Sequence, residues 1–154
     1  AIAAIFELVK FANTHADENS SPAFLQGLLG QIKELLGETL PSLRLICGGK
    51  VAGITLTAAQ MRQAGAKAGH TDGLVDYAID LEGVAMAYFA RETEDGRVKV
   101  SLRALEPWRV DQVAERFGGG GHRLASGLTL DMPLAEVVRV VEGALTEALG
   151  SVNA

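Results

Sequence analysis

The chain has 154 residues and a formal net charge of −5 at pH 7, which fits one domain with a sizeable core and excludes the broadly basic surface of non-specific DNA-binding proteins. Its single cysteine, Cys47, excludes an internal disulfide and a cysteine-rich zinc site. We find no signal peptide and no apolar run of roughly 18 residues, so we expect a cytoplasmic protein with no membrane partner.

Residues 1–39 predict a helical segment followed by a linker. The chain begins at Ala1 without an initiator Met and enters a helical pattern at once. Apolar residues spaced three and four apart mark the buried face of this first helix: Ile2, Ile5, Phe6 and Val9. We therefore expect residues 1–39 to be the end of a preceding domain, and residues 40–154 to form a domain of their own.

Beyond residue 40, strand and helix patterns alternate. Extended patterns fall at Leu43–Cys47, Val51–Leu56, Val84–Arg91, Arg97–Arg103 and Leu124–Leu130. Gly48 and Gly49 predict a hairpin turn between the first two of these strands. Helical patterns include those at Asp111–Phe117 and Leu134–Leu149. The sequence therefore predicts an α/β domain, with a mixed β-sheet of about five strands flanked by helices.

The run Gly118–Gly121, followed by His122 and Arg123, is the strongest functional signal. One glycine is enough to end the preceding helix, so a plain connection leaves the other three unexplained. Glycines let a ligand approach the backbone, and successive N–H groups in such a turn can bind an anion. We predict a phosphate-binding loop of four glycines with two side-chain donors: Gly118, Gly119, Gly120, Gly121, His122 and Arg123.

The strand pattern over 97–103 gives a second signal. Its alternation places Arg97, Lys99, Ser101 and Arg103 on one face. A solvated face accounts for the first two, but Arg103 lies at the strand end, where ligand sites collect in open sheets. A guanidinium can hold a phosphate through two parallel hydrogen bonds. We predict that Arg103 contacts phosphate with Ser101 as its hydroxyl neighbour, and we assign no catalytic residue or metal ligand.

Taken together, these motifs resemble a known family. The matching runs are Thr71–Asp76, Glu82–Val84, Val100–Arg103, Val110–Ala114, Phe117–His122 and Ala125–Gly127. They are similar to the C-terminal, DHH-associated domain of DHH-family phosphoesterases. The resemblance is closest to the nanoRNase branch of oligoribonucleases, which degrade very short RNAs and in many members dephosphorylate pAp.

The resemblance implies a two-domain hydrolase. An N-terminal DHH domain with an Asp-His-His motif would hold two Mn²⁺ ions, which activate water and stabilise the leaving oxygen. The C-terminal domain would hold the phosphate of a short RNA or DNA oligonucleotide, or of a small nucleotide such as pAp. These residues contain no Asp-His-His triplet, so we expect no cofactor in this chain and no activity from it alone. A second copy of the chain is a further candidate partner.

Two other functions fit the same residues. One is a non-enzymatic RNA-binding module, because a related domain ends alanyl-tRNA synthetases, although a net charge of −5 disfavours wrapping a large RNA. The other is a structural or dimerisation domain with a vestigial glycine loop. Measuring the binding of short phosphorylated nucleotides separates these two functions from that of a phosphate-binding domain of a phosphoesterase.

Overall fold

The computed structural model describes residues 42–63, 68–71 and 73–151. The predicted helical segment and linker over 1–39 lie outside the described residues. Within the described residues, six strands and four α-helices follow one another in chain order: β1 (Ser42–Ile46), β2 (Val51–Leu56), α1 (Ala58–Gln63), α2 (Leu74–Ile79), β3 (Met86–Glu92), β4 (Val98–Ala104), α3 (Asp111–Arg116), β5 (Gly120–His122), β6 (Ala125–Leu130) and α4 (Leu134–Ser151). None of these helices is long and apolar enough to cross a membrane.

The strands form one mixed sheet in the order β1-β2-β3-β4-β6-β5. Strands β2 and β3 are parallel, and every other neighbouring pair is antiparallel. The mixed sheet predicted from the sequence is therefore confirmed. The sheet has one strand more than the five predicted. The additional strand is β5, which lies in the glycine-rich segment that we predicted as a loop.

The two faces of the sheet bury different residues. On one face, β4 contributes Val98, Val100 and Leu102 to a core that also contains residues of α3 and α4. On the other face, Ala87 and Phe89 of β3 belong to a core with residues of β2, α1 and α2. We call these the α4 face and the α2 face. Alternation along each strand separates them, because successive side chains point to opposite sides of the sheet.

The core of the α2 face ends at β3. It contains buried residues from β2 and β3 and from the two short helices α1 and α2, but none from β4, β5 or β6. The α2-face positions of β4 are instead Lys99, Ser101 and Arg103, which are partly or largely exposed. The strands at this end of the sheet are thus packed on one side and polar on the other, which leaves a surface for a ligand.

Candidate functional site: the polar surface beside α2

Arg103 lies next to the last residue of β4, as the sequence predicted. Its Nε donates to Asp76 Oδ1 at 2.7 Å, and its Nη1 donates to the carbonyl of Leu102 at 3.1 Å. These bonds hold the guanidinium in one orientation. They leave the remaining N–H groups of Nη1 and Nη2 along the edge from which a phosphate can accept two parallel bonds.

Asp76 comes from the first turn of α2 and lies 27 positions before Arg103 in the chain. No pattern in the sequence identifies Asp76 as the partner of Arg103. Asp76 is the last residue of the run Thr71–Asp76, which resembles a motif of the family. That resemblance indicates a shared position but does not predict the contact with Arg103. Asp76 is half exposed, so its carboxylate orients Arg103 while solvent screens much of their mutual attraction.

The register of the sheet brings Arg103 and His122 onto the same face. Arg103 pairs with Ala125 of β6, and Ala125 pairs with His122 of β5. Residues paired across neighbouring strands share a face, and adjacent strands are about 4.8 Å apart, so the Cα atoms of Arg103 and His122 are separated by about 10 Å. The small side chain of Ala125 leaves room between them for one ligand group that both side chains can reach.

A second row of the same face carries Ser101, Gly127 and Gly120, paired in that order across β4, β6 and β5. Two of these three positions have no side chain, so the backbone itself forms the surface beside the Ser101 hydroxyl. We call Ser101, Arg103, Gly120, His122 and Gly127 the polar surface. Four of the predicted site residues, excluding Gly127, are therefore collected on one face.

The glycine run has a different structure from the predicted loop. Gly118 has a φ of +74° and follows the end of α3, where its N–H donates to the carbonyl of Glu115. The N–H of Gly119 donates to the carbonyl of Ala114. These two N–H groups cap the helix, so the anion-binding nest predicted for the run is not formed at Gly118 and Gly119. The residues from Gly120 to His122 form the edge strand β5.

Steric requirements also differ along the run. A Cβ on Gly119 would lie 2.3 Å from the carbonyl oxygen of Gly127, and one on Gly121 would lie 2.7 Å from that of Ala125. Packing therefore explains two of the three glycines that we had considered unexplained. A Cβ on Gly120 would meet nothing within 4 Å, and its φ is not in the left-handed region. Gly120 is the one glycine of the run that the fold does not require.

Three hydrogen bonds fix the turn between β5 and β6. The Ser126 hydroxyl donates to the His122 carbonyl at 2.7 Å, and Val110 N–H donates to the Arg123 carbonyl at 2.8 Å. Ala104 N–H donates to the Leu124 carbonyl at 3.0 Å. Because the turn is tied to β6, to β4 and to the start of α3, the backbone of His122 is held in place by the fold itself.

The Arg123 side chain contacts residues outside the polar surface. Its Nη2 donates to the carbonyl of Pro107 at 3.4 Å, and its Nη1 lies 3.8 Å from the Glu106 carboxylate. Arg123 thus contacts the loop that follows β4 rather than the residues of the polar surface. Its predicted contact with phosphate stays a prediction.

Among the residues that the structure describes, no group of three or more His, Cys, Asp or Glu side chains could hold a metal ion. The family resemblance assigns the two Mn²⁺ ions to a separate DHH domain, and that assignment stays a prediction. What the polar surface can do chemically is bind and orient an anion.

Residues 48–152 match the family model of the DHHA1 domain. The chain belongs to the DHHA1 family. The matched range takes in the whole polar surface, along with Asp76. A relative of this DHHA1 chain is the bifunctional oligoribonuclease and PAP phosphatase NrnA of Thermus thermophilus, which is 34% identical over 121 residues. That alignment covers 74% of this chain and 35% of the relative, so the chain spans about a third of the curated relative it matches.

Solved structures share the fold of this DHHA1 domain. An exopolyphosphatase-related protein from Bacteroides fragilis superposes with a TM-score of 0.65 at 24% sequence identity. The match covers 80% of this chain and 38% of the other. At that level of identity the likeness establishes the architecture, and the chemistry has to be argued from the polar surface itself.

Proposed function

We propose that this domain binds the terminal phosphate of a short oligonucleotide or of a small nucleotide such as pAp, on behalf of a phosphodiesterase of the DHH family. The name of the Thermus thermophilus relative, an oligoribonuclease and PAP phosphatase, supports this class of substrate. In this proposal the domain orients the substrate, and the metal-dependent cleavage belongs to a separate DHH domain that holds two Mn²⁺ ions.

Gly120 is the observation that carries the proposal. A glycine in a strand loses conformational entropy and adds no packing, yet a side chain at this position would meet nothing within 4 Å. The backbone of Gly120 is exposed on the face that also carries Ser101 and Arg103. Close approach of a ligand to this backbone gives the glycine a purpose that the fold alone does not.

Each residue of the polar surface has a distinct part in this proposal. Arg103, held by Asp76, donates two parallel bonds to the phosphate. His122 donates from the opposite side of Ala125, and the Ser101 hydroxyl contacts a phosphate or sugar oxygen. The bare backbone at Gly120 and Gly127 lets the sugar approach the sheet.

The proposal is tested by titrating the full chain with pAp in a calorimeter. Replacing Arg103 with Ala should weaken binding by about 1.5–3 kcal/mol, which is roughly 10- to 150-fold, because a charge-assisted bond is lost. Lys99→Ala is the matched control, since Lys99 lies on the same face of the same strand but outside the polar surface. Equal affinities of the Arg103→Ala and Lys99→Ala variants would contradict the proposal.

A second titration separates the proposal from a module that binds large RNA. A 5′-phosphorylated diribonucleotide and a tRNA are compared at the same salt concentration. We expect the tRNA to bind no more tightly per site than the diribonucleotide, because a net charge of −5 disfavours binding along a long RNA backbone. Much tighter tRNA binding that falls steeply with salt would favour the alternative.

A further inference from the structure

A cleft opens on the α4 face of the sheet, on the opposite side from the polar surface. It lies between β1 with its following turn and residues 135–146 of α4, and its volume is about 430 Å³. This volume falls within the range of pockets that hold small molecules. The polar and charged residues of its lining are Arg44, Cys47, Arg139, Glu142 and Thr146, and the floor includes Ile46 and Val138.

The charges in this cleft favour an anion. Two guanidinium groups, those of Arg44 and Arg139, line it against a single carboxylate, that of Glu142. Glu142 is already engaged, because its Oε1 accepts from the hydroxyl of Tyr88 at 2.7 Å and its Oε2 lies 3.5 Å from Arg44. Burial and the neighbouring Glu142 raise the pKa of Tyr88, so this hydroxyl stays protonated and continues to donate.

Arg139 is the cation with the most freedom. Its Nη2 lies 3.6 Å from Glu136 one turn earlier in α4, and both side chains are largely exposed. Ion pairs of this kind contribute little to stability and exchange readily with other partners. The side chains that line the cleft carry a net charge of +1, and Glu136, which pairs with Arg139 from outside the lining, balances this charge until Arg139 turns to a ligand.

Gly143 keeps the α4 side of the cleft open. It lies in the interior of the 18-residue helix α4, where glycine costs about 1 kcal/mol relative to alanine. A Cβ at this position would meet nothing within 4 Å, so helix packing does not require the glycine. Gly143 lines the cleft, and a side chain there would occupy the space that a bound molecule needs.

Cys47 fixes the other wall of the cleft. It is a non-glycine residue with a φ of +53°, which is a strained conformation for a side chain of this kind. Its Sγ lies 3.3 Å from Thr146 Oγ1, and the Thr146 hydroxyl itself donates to the carbonyl of Glu142 at 2.7 Å. The thiol is therefore the donor to Thr146. This bond links the turn after β1 to α4 across the cleft.

We propose that this cleft is a second ligand site, which binds a small organic anion whose phosphate or carboxylate group contacts Arg44 and Arg139. The apolar body of the anion packs on Ile46 and Val138 and over the bare backbone of Gly143. The site is separate from the polar surface and does not depend on the function proposed for that surface.

The test is a pair of NMR titrations of the full chain, one with glycerol 3-phosphate and one with glutarate. The phosphate and the carboxylate probe distinguish the two sources of the anion. We expect at least one probe to give saturable shifts of the backbone amides of Arg139 and Gly143. The Arg103→Ala variant should respond in the same way as the wild type at these amides, because Arg103 is on the other face.

Two glycine variants make the decisive comparison. Gly143→Leu fills the cleft and should weaken binding at least about tenfold, while leucine improves the helix propensity. Gly150→Leu is its control, because Gly150 is also in α4, also has open space around a Cβ, and does not line the cleft. Absence of shifts at Arg139 and Gly143 with both probes would overturn the proposal, as would equal binding by the two variants.

Discussion

Leu102 and Arg103 are neighbours in β4, and they lie on opposite faces of the sheet. Leu102 is fully buried on the α4 face among residues of α3 and α4. Arg103 retains about a third of its side-chain exposure on the α2 face, beside Ser101 and across from His122. One face of β4 therefore supplies the packing that keeps the strands in register, and the other face carries the groups that a ligand can contact.

We therefore expect ligand binding and folding stability to depend on different faces of the sheet. The side chains of the polar surface contribute little to the core, whereas the buried side chains of the α4 face are separated from the polar surface by the sheet. Substitutions on the α4 face should therefore lower the free energy of unfolding without lowering the affinity of the folded protein. Substitutions in the polar surface should lower the affinity without lowering the free energy of unfolding.

The largest effect is expected from Leu102→Ala. Removing a fully buried leucine leaves a cavity and should lower the free energy of unfolding by about 2–5 kcal/mol. The affinity of the folded fraction for pAp should stay within about twofold of the wild type. Urea denaturation and calorimetry measure the two quantities, and a loss of affinity in the folded protein would show that the two faces are coupled.

The adjacent residues Gly119 and Gly120 are expected to differ in the same way, one affecting stability and the other binding. Gly119→Ala places a Cβ against the backbone of Gly127 and should lower the free energy of unfolding by about 1–3 kcal/mol. Gly120→Ala meets no such contact, so its stability should change by less than about 1 kcal/mol. Gly120→Ala should instead weaken pAp binding about fivefold. If both variants lose stability equally, Gly120 has a structural role and the argument for close ligand approach fails.

Asp76 tests whether Arg103 needs its partner for orientation. Asp76→Ala removes both the acceptor and the charge, and we expect pAp to bind about two- to fivefold more weakly because the guanidinium loses its fixed direction. Asp76→Asn keeps an acceptor without the charge and should bind pAp at least as tightly as the wild type. Calorimetry measures the affinity of both variants for pAp. Equally weakened binding by Asp76→Ala and Asp76→Asn would mean that Asp76 acts through its charge alone.

The smallest effect is expected at Asp111, the first residue of α3. The hydrogen bond from Arg109 lowers its pKa from 3.8 to about 2, so the folded state favours the ionised carboxylate. Its stabilising contribution is complete above about pH 4 and is lost as the pH falls towards 2. Thermal unfolding should therefore show Asp111→Asn less stable than the wild type at pH 6, with the difference shrinking by pH 2. A difference that does not change with pH would contradict this role.

Much of the fold could be predicted because particular patterns are strong. Strict alternation of Val98, Val100 and Leu102 with polar residues predicted β4, and the structure confirms it. The strand β5 was missed because glycines provide no alternation of side chains, and its conformation comes from pairing with β6. A short segment of this kind is determined by its neighbours rather than by its own residues.

The candidate site was predictable only in part, for a similar reason. Arg103 was found because it ends a recognisable strand. Its contact with Asp76 joins residues 27 positions apart, which no local period encodes. The fold requires some glycines of the run but not Gly120. This difference depends on the positions of Gly127 and Ala125 on the neighbouring strand. That information exists only once the strands are paired.

An NMR titration of the full chain with pAp reports on both faces of the sheet at once, and so shows which face holds the nucleotide. We expect saturable shifts of the backbone amides of Ser101, Arg103, Gly120 and His122. Amides of buried α4-face residues, such as Val100 and Val141, should respond much less. Saturable shifts confined to the α4 face, or no shifts at the four polar-surface residues, would contradict the claim that this surface holds the nucleotide phosphate.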